Sequence, residues 1–188
     1  MSQPTLSTAQ LQAITGELAA ANQRFIERYP GESDRRQPVH VVYGGAHLFK
    51  ADSAKKLGAL ALRSLREYAP DSGALAAALG TDWTAEFSQT VYRRTVAKLE
   101  REAVEDFRLD FEDGYGNRPD EEEDGHAISS AAEVAAGLAA GTLPPFIGIR
   151  IKPLNEDLRA RSLQTLDLFD RIRNDQRRIS CYRFETSH

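Results

Sequence analysis

The chain has 188 residues, 41% hydrophobic and 28% charged, with a formal net charge of −4, the composition of an ordinary soluble domain long enough to bury a real core. The acidic balance gives no pull toward nucleic acid or an anionic membrane. Without a run of about 18 apolar residues, a signal-peptide pattern or a second cysteine beside Cys181, the sequence offers no membrane span, no internal disulfide and no cysteine-built metal site, and the cytoplasm is the expected compartment.

Ser7 and Gln10 have capping-box spacing, and Leu11, Ile14, Leu18 and Phe25 follow at helical intervals. A helix over 7–28 is predicted, ended by Tyr29-Pro30-Gly31. After a polar loop, Val39–Tyr43 is a β-branched run stopped by Gly44-Gly45, which predicts a buried strand and a glycine turn. Helices are predicted over 53–68, with Leu57, Leu60, Leu65 and Tyr68 inward, over 74–79, and over 84–101, with Phe87, Val91 and Leu99 inward. Trp83 is read as an anchor against the core, and His40 as a half-buried packing residue. Phe107–Glu112 alternates strictly, the period of a strand, and Gly114-Tyr115-Gly116-Asn117 is its exit turn. An acidic loop from Pro119 to Gly125 opens a small-residue helix over 127–140, with His126 structural at its start. Its five acids, Asp120 to Asp124, suit a helix N-terminus and lack the spacing of a Ca²⁺ loop. Phe146–Ile151 is the third strand, a helix over 155–172 follows, and the rest shows no period. The five Arg between Arg171 and Arg183 read as a solvated face.

Strands separated by helices imply crossovers and a parallel sheet. No G-x-G-x-x-G follows any strand, which disfavours a dinucleotide fold. Two α/β architectures suit the order, a doubly wound open sheet and a (β/α)8 barrel, and the barrel is the expectation carried forward.

Strand parity points to a site. Phe107, Leu109 and Phe111 share the face that packs on helices, so Arg108, Asp110 and Glu112 share the other. In the third strand Ile147, Ile149 and Ile151 face the helices and Arg150 the opposite side. In a barrel, two carboxylates and a guanidinium would then meet at the carboxyl mouth, where such enzymes keep their active sites. An internal salt-bridge network of the same residues fits that parity equally well. His47, after the glycine turn, is a candidate for a substrate phosphate or carboxylate, or a loop histidine in solvent.

The segment Arg108-Leu109-Asp110-Phe111-Glu112-Asp113-Gly114 resembles the second-strand D-x-E-D signature of the citrate lyase β-subunit and malyl-CoA lyase family. Gly148-Ile149-Arg150-Ile151-Lys152-Pro153 resembles its third-strand V-R-I-N element, with Lys152 in place of the Asn. Together with Tyr43–Phe49, these three motifs resemble an uncharacterised bacterial branch of the HpcH/HpaI aldolase and citrate lyase superfamily, over about 39–169. The resemblance implies a partial (β/α)8 barrel: an N-terminal helix and loop (1–38), three β/α units with a helical insertion (39–173) and an atypical tail (174–188). It implies the N-terminal part of a Mg²⁺-dependent carbon–carbon lyase or aldolase acting on a keto acid or acyl-CoA thioester, the parent enzyme being a homo-oligomer. Arg150 would clamp the substrate carboxylate, with Asp110 and His47 beside it. Glu112 and Asp113 would sit next to the metal, whose direct ligands come from later strands. Three strands in 188 residues, against about 250 residues for a whole barrel, predict a truncated or frame-shifted product, or a short natural form, with little activity alone. The alternative is a non-catalytic half-barrel that dimerises or pairs with a partner chain.

Overall fold

The computed structural model describes residues 5–31 and 35–175. The chain divides into two compact units, Met1–Gln37 and Pro38–His188. In the first, helix α1 (Thr8–Arg28) begins at Ser7. The Ser7 hydroxyl accepts from the Gln10 N–H, and the Gln10 side chain accepts from the Ser7 N–H. That satisfies two of the amide donors a helix start leaves open.

In the second unit the described elements are β1 (Val41–Gly45), a single 3-10 turn (Ala46–Leu48), α2 (Ser53–Tyr68), α3 (Ser72–Ala78), α4 (Ala85–Glu102), β2 (Asp106–Asp110), α5 (Asp120–Ala140), β3 (Phe146–Arg150) and α6 (Arg159–Asp175). The three strands form one parallel sheet in the order β1-β2-β3. Residues 176–188, most of the predicted tail, lie outside the described residues. Among the described residues no helix is long and apolar enough to cross a membrane.

The core lies on one side of the sheet. Phe107, Leu109, Phe111, Ile147, Ile149 and Ile151 pack with Ala127, Ala131 and Val134 of α5 and Phe169 of α6. Leu109 and Phe111 are fully buried, each contributing about 1.5–3 kcal/mol of apolar transfer. Alanines on α5 let its backbone lie close to the sheet, and the helix ends at Gly141 in the left-handed conformation.

Several boundaries differ from the sequence reading, each for a local reason. β1 starts two residues late and keeps both glycines in the strand, because its pairing continues to Gly45 opposite Asp110. The Phe107 ring lies against Gly44, where a Cβ would sit 2.8 Å from Cζ. β2 ends at Asp110, so Glu112 belongs to the exit turn and not to the strand. The acidic loop is itself the opening of α5, with Asp120 to Glu123 in its first turn, where the helix dipole favours negative charge. His126 therefore lies inside that helix.

The inward stripes also need correction. In α2 Leu57, Leu60 and Tyr68 are exposed and Gly58 is buried; in α4 Phe87 is exposed and Ser88 buried. Gly58 is where α2 meets Ala103 after α4, since a Cβ there would stand 2.8 Å from the Ala103 Cβ. Trp83 is only partly buried and meets Phe87 edge-on at 5.3 Å.

Candidate functional site at the carboxyl edge of the sheet

The site begins with Asp110, the last residue of β2. Its Oδ1 accepts from the Glu112 N–H at 2.8 Å and its Oδ2 from the Gly114 N–H at 2.9 Å. Both oxygens are thus spent bending the chain off the strand, the usual work of an aspartate at a turn. The bend swings Glu112 and Asp113 back over the sheet edge. Gly45 is needed opposite: a Cβ there would sit 2.4 Å from the Gly114 carbonyl oxygen.

Arg150, the last residue of β3, pairs with Asp110 in the strand register. Its Nη1 lies 3.4 Å from Asp110 Oδ2, and its Nη2 lies 2.5 Å from Glu112 Oε2 and 2.8 Å from Asp113 Oδ2. The Tyr43 ring lies 5.6 Å from the guanidinium carbon. Burial opposes the charge on Arg150, but the Asp113 hydrogen bond and the charges of Asp110, Glu112 and Asp113 outweigh it and raise its pKa. The partners are not equivalent. The Asp110 and Glu112 side chains are 3% and 18% exposed, that of Asp113 78%. Asp113 is therefore the partner a ligand can displace at least cost.

Deeper on the same face, Arg108 Nη2 pairs with Asp106 Oδ2 at 2.7 Å, with both side chains almost wholly buried. Gly148 lies opposite Arg108 in the register.

His47 falls in a different group. Its ring meets Tyr115 edge-on at 5.5 Å and lies 5.9 Å from His126. The Tyr115 hydroxyl is 2.8 Å from His126 Nδ1. Burial lowers the His47 pKa, and the charges of Arg118 and His126 add to this. The Tyr115 hydroxyl is pushed up to about 12 by burial and by the Glu123 charge. Lys152 lies over the same ring at 5.4 Å and pairs with the buried Glu123, which also accepts from Thr165 at 2.6 Å and faces Arg161. Glu123, Tyr115, His126 and Lys152 escape a reading by strand parity, because they come from a turn, a helix and a strand exit.

A domain family described only as a domain of unknown function (DUF6986) matches residues 18–177. The chain belongs to that family. No curated protein and no solved structure matches it. The DUF6986 match takes in both side-chain groups, from Tyr43 to Thr165, and its description assigns neither of them a role.

The resemblance places the direct Mg²⁺ ligands on later strands, with Glu112 and Asp113 only beside the metal. Among the described residues no set of three or more His, Cys, Asp or Glu side chains is placed to hold a metal ion. Asp110 is occupied by backbone amides, and Glu112 and Asp113 are turned onto Arg150. Such an ion would have to be held by other groups, and no step below passes through it.

Proposed function

We propose that the carboxyl edge of this sheet binds the carboxylate of a small keto acid, with Arg150 as its clamp, in a carbon–carbon lyase or aldolase of the cytoplasm whose three parallel strands are consecutive units of a (β/α)8 barrel. The observation that carries the reading is the convergence of Arg150, Asp110, Glu112 and Asp113 at the ends of two adjacent parallel strands. The motif resemblance supports the reaction class.

Each residue then has a distinct task. Asp110, braced by two amides, holds the Nη1 side of the guanidinium and fixes its plane. Glu112 steadies Nη2 from a half-buried position. Asp113 occupies the outer approach and gives way to the incoming carboxylate, since an exposed pair is worth only about 0–1 kcal/mol. The planar fork of Arg150 then receives both carboxylate oxygens, which orients the adjacent keto carbon. His47 lies in the Tyr115–His126 group rather than among the partners of Arg150.

The same convergence favours a second reading, a structural ion-pair network in a non-catalytic half-barrel, because every charge in it is already partnered. Calorimetric titration of the full chain with pyruvate and oxaloacetate separates the two. A charge-assisted contact contributes about 1.5–3 kcal/mol, so Arg150→Ala is expected to weaken binding about one to two orders of magnitude. Absence of binding by the wild type, with a lowered melting temperature in Arg150→Ala, would leave only the structural network.

A further inference from the structure

Helix α1 has no buried residue. Leu11, Ile14, Leu18 and Phe25 are 52%, 45%, 56% and 62% exposed. With Ala21 and Arg28 they recur at alternating intervals of three and four, the spacing of a coiled-coil seam. A groove on the helix is lined by Ile14, Leu18 and Ala21, with Glu17 and Arg24 at its edges. Apolar side chains exposed in this way gain by being covered, and a seam of heptad spacing can be covered by a second helix.

We propose that α1 pairs antiparallel with α1 of a second copy of this chain. The charge pattern selects both the occupant and the direction. In the antiparallel register Leu18 faces Ala21, Ile14 faces Phe25, and Leu11 lies against the aliphatic stem of Arg28, so large residues meet smaller or flexible ones. Glu17 and Arg24 hold the flanking position just before Leu18 and Phe25. Antiparallel pairing brings each Glu17 to Arg24 of the other copy, giving two equivalent ion pairs. Parallel pairing would set Glu17 beside Asn22 and Arg24 beside Tyr29, with no charge match. Two-fold symmetry makes the contact self-complementary and closed. Most helical stability in proteins comes from packing an amphipathic face, and the second copy supplies such packing to the Leu11, Ile14, Leu18 and Phe25 stripe.

Light scattering on the full chain, with charge exchange, tests this. The wild type is expected at twice the 20.8 kDa chain mass. Glu17→Arg sets Arg against Arg at both pairs and is expected to shift the population to monomer. The double variant Glu17→Arg/Arg24→Glu restores two opposite-sign pairs and is expected to return the dimer. A monomeric wild type at every concentration overturns the proposal and assigns the seam to another part of the same chain. A dimer indifferent to Glu17→Arg overturns it in favour of some other surface. A double variant that stays monomeric overturns the reciprocal Glu17–Arg24 register.

Discussion

Asp106 and Arg108 are separated by one residue on β2 and lie on the same face, buried to 1% and 3% exposure. Their pair at 2.7 Å offsets part of the cost of burying both charges. Removing Arg108 takes this partner from the buried Asp106 carboxylate, and breaking a buried pair in this way costs about 3–5 kcal/mol, whereas replacing both with apolar residues of similar volume is often near neutral. Arg108→Ala is therefore expected to lose several kcal/mol in urea denaturation, and Asp106→Leu/Arg108→Met much less. A double variant that loses as much as Arg108→Ala or more would mean that an uncompensated charge is not the source of the cost. Alternation along Phe107–Glu112 was enough to put Asp110 and the arginines on one side. It could not show that Asp110 hydrogen-bonds two amides and ends the strand, because that depends on a side chain competing with the ladder. Glu112 consequently reaches Arg150 from a turn, by a route different from the one parity suggests.

Among the elements, the junction between α4 and β2 has an acid as its fastener. Glu105 accepts from Lys98 Nζ at 2.5 Å and from the Val39 N–H at 2.6 Å, tying the approach to β1 to the end of α4. The Lys98 and Val39 hydrogen bonds hold its pKa at about 2, below the ordinary 4.5. A depressed carboxyl pKa stabilises the fold fully above the unfolded value and loses that contribution as pH falls toward the folded one. The melting-temperature advantage of the wild type over Glu105→Gln is thus expected to be constant at neutral pH and to shrink between about pH 4.5 and pH 2. An advantage independent of pH over that range would mean that the Glu105 charge is not what fastens the junction. Helix existence was legible from apolar spacing and caps, and Asp71 and Thr84 cap α3 and α4 by accepting from Ala74 and Phe87 amides. Facing was not legible. A stripe of leucines on α2 marks an apolar side, but close approach to Ala103 is possible only at Gly58, and small residues leave no hydrophobic signal.

For the molecule as a whole, strand order and direction followed from the alternation of strands and helices, since parallel neighbours need crossovers. The second side-chain group did not, because Tyr115, His126, Lys152 and Glu123 are assembled by tertiary packing of the exit turn, α5 and the end of β3. Charge is distributed accordingly: the carboxyl edge of the sheet gathers both arginine and lysine clusters with their acids, and the opposite face of the strands holds the apolar core. Such an edge suits an anion that enters from outside and displaces the most exposed acid. Nitrogen-detected NMR of the Arg150 Nε–H resonance during titration with pyruvate tests this claim most directly. The resonance is expected to move with the same half-point as calorimetric binding, and Asp113→Asn is expected to lower that half-point up to about fivefold, the worth of an exposed ion pair. A stationary Arg150 resonance while pyruvate binds would place the carboxylate elsewhere and contradict the clamp.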